Sequence, residues 1–138
     1  MDTVTVLESL SGLTGFLLNL VAAVVLLVLF TALYVRITPY PEFALIKEGK
    51  VAPAISLSGA LLGFVIPLAS AIISSVSLLD MVLWALVALV VQILVYLLLK
   101  TFLHELPSDI ATDRIAPALL LATLSLAAGI LSAACMAY

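Results

Sequence analysis

Charge is what this sequence lacks most. Asp, Glu, Lys and Arg make up only 9% of its 138 residues while 66% are hydrophobic, and a soluble domain carries roughly 25% charged residues. Such a chain has too little polar surface to cover a water-soluble globule. Basic residues are scarcer still, five Lys and Arg against eight Asp and Glu for a net charge of −3, which speaks against nucleic acid as a partner. A single cysteine, Cys135, excludes an intrachain disulfide and any thiolate zinc cluster. The one histidine, His104, has no second ligand beside it, so no metal site is expected. A Ser/His/Asp set, an HExxH, a GxSxG and a glycine-rich phosphate loop are all missing, as are paired aspartates or a Ser/His dyad within the apolar runs. No enzyme class and no cofactor is expected.

What the chain has instead is long apolar runs, at about 11–35, 52–76, 81–99 and 115–137. A bilayer core ~30 Å thick needs ~20 apolar residues per helical crossing. The expected fold is therefore an all-α integral membrane protein: one membrane domain over 1–138 with four transmembrane helices and three connections. The opening MDTVTVLESL places Asp2 and Glu8 where a signal peptide needs basic residues, and the run that follows is too long for its apolar core. Residues 11–35 thus read as the first spanning helix.

Few polar side chains interrupt these runs. Asn19 and Gln92 carry amides, and either line a solute path or bond neighbouring helices. Gly59, Gly63, Pro67, Ala71 and Ser75 follow one another at four-residue spacing, leaving one face of the second span almost free of bulk. Ser125, Gly129, Ala133 and Ala137 form a similar stripe on the last span. Pro67 lacks an N–H and releases the carbonyl of Gly63, so a kink is expected there, with Ser70 and Ser74 rearranging hydrogen bonds locally. The kink either exposes a carbonyl to a solute or is filled by a neighbouring helix. TPYP ends the first span, and EFALIKEG is expected to form a short interfacial helix with Phe43 and Ile46 towards lipid and Gly49 ending it. Asp80 is expected to cap the third span, Cys135 to be a small buried packing residue, and the acids of the third connection to form a solvated face. No ionisable group falls well inside any span, which counts against a proton-coupled carrier.

VAPA at 51–54 returns as IAPA at 115–118, an offset of 64 (51 to 115). At the same offset Arg36 meets Lys100, Lys50 meets Arg114, and Gly63 meets Ala127. Two copies of a helical hairpin are expected, about 11–76 and 75–138, related as parallel repeats by an axis along the membrane normal. Arg36, Lys47, Lys50, Lys100 and Arg114 all flank the first and third connections. The positive-inside rule puts those connections in the cytoplasm and both termini outside it.

ITPY with the following LIK, then SGALLGFVIPLASA, the spacing from Trp84 to Gln92, and the closing AGILSAACM together resemble the YjfL-like proteins, also called domain of unknown function 350. The resemblance covers nearly the whole chain. It departs before the second span, where GKVAPA stands in place of the usual Asn- and Ala-rich residues. It implies a small multi-pass protein of the bacterial inner membrane with no established activity, associated with envelope-stress and polyamine-related genes. Two functions are then open. One is a small oligomeric transport or channel subunit for a neutral or cationic solute. The other is a membrane scaffold or envelope-stress component whose basic connections meet anionic lipid or a protein partner. Polar residues converging on one path favour the first, and a dry packed interior the second.

The expected orientation can be tested by cysteine-accessibility labelling in intact cells. Cysteines replacing Lys47 and Asp109 should react only with permeant reagents, and cysteines replacing Asp2 and Asp80 with impermeant ones. Labelling of the Asp80 position solely from the cytoplasm would reverse the assignment.

Overall fold

The computed structural model describes residues 2–136, and Ala137 of the last small-residue stripe lies outside them. Six helices follow in order: α1 (Asp2–Ile37), α2 (Glu42–Lys47), α3 (Val51–Ser74), α4 (Leu78–Phe102), α5 (Leu106–Ala111) and α6 (Ile115–Met136). The described residues contain no strand. α1, α3, α4 and α6 are long and apolar enough to cross a membrane. An all-helical fold is what a bilayer requires, because a helix satisfies its backbone groups within one segment.

α1 is longer than its apolar run. Its 36 residues span about 54 Å at 1.5 Å per residue, well over the ~30 Å hydrocarbon thickness. Only Leu26, Phe30 and Tyr34 are buried, a single stripe at four-residue spacing. Residues 2–21 are all exposed, Asn19 among them. The start of α4 also differs from expectation. Ser77 is the N-cap, its hydroxyl accepting from Asp80 N at 3.1 Å, while Asp80 Oδ2 accepts from Val76 N at 3.3 Å. This is a variant of the capping box, in which Asp80 is the far member instead of the cap and accepts from the residue before the cap, where the usual box uses the cap's own N–H.

The two short helices end alike. After α2, Gly49 N donates to Ile46 O (2.9 Å) and Lys50 N to Leu45 O (3.1 Å); after α5, Asp113 N donates to Ile110 O (3.1 Å) and Arg114 N to Asp109 O (2.9 Å). Both closures turn on a left-handed residue, Gly49 at φ 86° and Asp113 at φ 65°. α2 and α5 both begin and end 64 residues apart (42 to 106, 47 to 111). Glu105 of the third connection is exposed as expected, but Asp109 and Asp113 are engaged instead of lying on a solvated face. Asp113 Oδ1 accepts from Ala52 N (2.8 Å), tying this connection to the first turn of α3, and Asp109 pairs with Arg114 (3.2 Å). An acid at a helix N-terminus also suits the helix dipole. Both basic connections therefore sit at one end of the bundle.

α3 and α6 start from that end and form the most extensive helix pair. A methyl group added at Gly59 would lie 2.4 Å from Ala122 Cα, one at Gly63 2.3 Å from the Ser125 carbonyl oxygen, and one at Gly129 2.2 Å from the Gly63 carbonyl oxygen. Backbone meets backbone at all three places. Ser70, expected to serve its own helix, reaches across and donates to Ala133 O at 3.1 Å. Cys135, expected to be buried, is exposed.

Replacing Gly129 with Ala should lower the melting temperature in detergent, at a cost of about 1–3 kcal/mol typical of overpacking, since backbone cannot swing aside. Gly12→Ala, where nothing lies within 4 Å, is the control and should melt like wild type. Equal melting temperatures for all three proteins would mean that α3 and α6 are not in backbone contact.

Candidate functional site

Two buried polar centres lie on the inner faces of the helices. The first surrounds Pro67. A residue with an N–H at this position would close a helical bond to Gly63 O, and proline cannot. α3 nevertheless continues through Pro67 to Ser74. The freed carbonyl is answered from another helix: Gln92 Nε2 of α4 donates to Gly63 O and to Ser125 O of α6, each at 3.0 Å. Gln92 is 1% exposed, and Gly59, Gly63, Pro67, Ser125 and Gly129 are buried around the same seam. One amide thus joins three spanning helices. Four of the five candidate pathway residues, Gly59, Gly63, Pro67 and Gln92, are brought together here, and Asn19 is not. Gln92 Oε1 and Ser125 Oγ remain buried with no hydrogen-bond partner among the described residues.

The second centre was not foreseen. Glu42, the first residue of α2, is 0% exposed. The first connection folds back over the bundle, so α2 turns Glu42 inward while Phe43 faces out and Ile46 is half-buried. Glu42 Oε1 contacts Thr38 Oγ1, and Oε2 has no partner among the described residues. Three phenols, Tyr34 of α1, Tyr40 of the connection and Tyr96 of α4, lie within electrostatic reach of the carboxyl. The Tyr34 and Tyr96 rings meet edge to face with centroids 5.8 Å apart, and both hydroxyls are buried without partners. Phe30 stacks on Phe64 at 4.6 Å and adjoins Tyr34 at 5.6 Å. Burial pushes the Glu42 carboxyl up to about 7, with the Thr38 hydroxyl working the other way. The same burial, with Glu42 and Tyr96 nearby, raises the Tyr40 phenol.

Gln92 and Tyr96 stand four apart on one face of α4, about 6 Å along the helix axis. The two centres are therefore parts of one column: Ser125 and Gln92 near mid-bundle, then Tyr96 and Tyr34, then Glu42 at the basic end. Beyond Gln92 the buried residues are mainly apolar, with Leu68, Ala71, Met81, Ala85 and Met136, and the polar exceptions are the Ser70 bond to Ala133 and the buried Ser75 hydroxyl. Among the candidate basic residues, Arg36, Lys47 and Arg114 are exposed, and Lys50 and Lys100 half-buried. The signal that could have marked Glu42 is its place in TPYPEF. Prolines force the chain to double back, and the residue after such a turn can be carried inward.

The role of Gln92 can be isolated by a double-mutant cycle. Gln92→Leu leaves Gly63 O without a donor and should cost about 1–3 kcal/mol, the penalty for an unsatisfied buried group. Pro67→Ala restores an N–H at 67, and combined with Gln92→Leu it should recover part of that loss. Strictly additive melting shifts would show that Gln92 does not stand in for the missing proline donor.

Residues 8–136 match the family described as Domain of Unknown Function (DUF350). The chain is 37% identical over 129 residues to the UPF0719 inner membrane protein YjfL of Escherichia coli K12, covering 94% of this chain and 98% of the relative. The protein of the same name from Escherichia coli O157:H7 matches equally. No solved structure shows significant similarity. By a match across nearly its whole length, and with four helices able to cross a membrane, this chain belongs to the DUF350 family of integral membrane proteins.

Proposed function

We propose that the protein is a small transport subunit of the bacterial inner membrane, passing a neutral or cationic solute. The observation that carries this reading is the column of buried polar atoms without partners: Glu42 Oε2, Tyr34 OH, Tyr96 OH, Gln92 Oε1 and Ser125 Oγ. Buried polar groups are normally paired, and an ordered series of unpaired ones supplies the lone pairs and hydroxyl dipoles that replace a solute's hydration. The apolar core beyond Gln92 is the closed half of the path. In this reading Gln92 is the gate, holding α3, α4 and α6 together through the carbonyls of Gly63 and Ser125. In this reading the end that carries the five basic residues faces the cytoplasm, as the positive-inside rule favours, and both termini lie outside it. The matched closures of α2 and α5 support a duplicated hairpin with parallel halves. A homo-oligomer completes the pathway, since four helices enclose little space by themselves.

The scaffold reading draws on a different observation. Gly63 and Gly129 meet backbone to backbone, leaving the mid-bundle seam no visible opening. Basic connections would then hold anionic lipid, at ~1 kcal/mol per residue, or a cytoplasmic or envelope-stress protein.

Flux into sealed proteoliposomes separates the two. Wild type should pass one of the offered ions or polyamines, and Tyr96→Phe, which removes only a hydroxyl, should slow that flux several-fold with little change in melting temperature. If wild type moves none of them, transport is wrong and the scaffold reading stands.

A further inference from the structure

We propose that Glu42 is a proton-binding site, and that the ion handled at the basic end of the polar column is H⁺. The second half of this statement rests on the transport reading; the binding itself does not.

The geometry leaves an ionised Glu42 unsupported. Around it stand Thr38 and Tyr40 from the first connection, Tyr34 from α1 and Tyr96 from α4, and no ion pair reaches it among the described residues. Arg36 and Lys47, the basic residues nearest in sequence, are exposed. Lys50 lines a groove of about 550 Å³ between α3 and α6. Arg114 is engaged with Asp109, and Lys100, half-buried one turn beyond Tyr96 on α4, forms no ion pair with Glu42. Phenols can donate one hydrogen bond each but carry no positive charge. A carboxylate in such a place is neutralised most simply by taking up a proton.

The hydroxyl of Thr38 shows how both states are accommodated. It carries a single hydrogen and has two oxygens in reach, Val35 O at 3.1 Å and Glu42 Oε1. With Glu42 protonated, the acid donates to Thr38 and Thr38 donates to the Val35 carbonyl, so every hydrogen is used. With Glu42 ionised, the Thr38 hydroxyl turns to the carboxylate and Val35 O loses its extra donor. One rotation of one hydroxyl thus connects the two states. The unpartnered Tyr34 and Tyr96 hydroxyls supply the next positions along the column. The balance is simple: Glu42–COOH gives Glu42–COO⁻ and H⁺, and no bond other than O–H changes. The site is closed, with Glu42 and Tyr96 wholly buried and Tyr34 nearly so, and a proton needs no room that a metal cation would. Burial in this setting raises the carboxyl towards neutral pH, where the proton is exchangeable under cellular conditions. The absence of ionisable residues from the spans, which counted against a proton-coupled carrier, is thereby answered from outside them.

The test is infrared difference spectroscopy of the purified protein in lipid nanodiscs, titrated between pH 4 and 9. The carbonyl stretch of a protonated carboxylic acid, identified by its shift in D₂O, should disappear with a midpoint near pH 7 and be missing from Glu42→Gln. Thr38→Val removes the hydroxyl that supports the ionised form, so its midpoint should move upward, a change that loss of packing alone would not produce. It also keeps the test open if Glu42→Gln does not fold. A wild-type midpoint near 4, in the ordinary carboxylate range, overturns the proposal. So does a band that added Na⁺ abolishes at fixed pH, which would assign the site to a metal cation. A downward or absent shift in Thr38→Val overturns the hydroxyl arrangement. Titration near neutrality without flux in proteoliposomes would remove the transport role and leave the proton site.

Discussion

The arrangement depends on the carbonyl of Gly63. Within a bilayer a backbone oxygen without a partner costs several kcal/mol, because no water is present to replace the lost bond. Pro67 creates such an oxygen in the middle of α3, and the chain answers it with a side-chain amide from α4. That amide reaches the oxygen only if α3, α4 and α6 meet at one level, since it also bonds Ser125 O. The local need of one carbonyl thus becomes a constraint on the relative heights of three helices.

Small residues make the meeting possible. Lipid tails are as apolar as leucine, so helices in a membrane gain little by hiding apolar surface from one another and associate through close packing and polar contacts. Gly59, Gly63 and Gly129 let the α3 and α6 backbones approach to distances at which any added Cβ would collide. The same approach brings the third connection to the start of α3, where Asp113 accepts from Ala52 N. Packing at mid-bundle and the capping bond at its basic end therefore support one another. α1 takes a smaller part, docking only by the stripe from Leu26 to Tyr34.

Glu42 belongs to a different balance. The aromatic tier of Phe30, Phe64, Tyr34 and Tyr96 lies between mid-bundle and the carboxyl, which is itself wholly buried. Burying a carboxyl among phenols does not stabilise the bundle as leucine would. Its neutral form is tolerated, whereas its charged form finds one hydroxyl and, among the described residues, no ion pair. Features that cost stability and are retained in a small protein are commonly tied to function, and the column from Glu42 to Ser125 is where this chain places them.

The apolar runs were enough to establish the class and the four spans, because hydropathy over ~20 residues is a property of the segment and needs no knowledge of its neighbours. The glycine and proline spacing likewise marked α3 as the helix that others approach, and the short interfacial helix ending at Gly49 followed from local backbone chemistry. Partners were not legible. Ser70 appeared free to serve its own helix and instead reaches Ala133, Asn19 looked like an interior amide and is exposed, and Asp80 yielded the cap to Ser77. Glu42 was hidden most completely. It lies in a connection, where an acid is ordinarily solvated, and only the return of that connection over the bundle removes it from water. Burial of a polar side chain is decided by what packs on it from distant parts of the chain, and that information exists only once the helices have met.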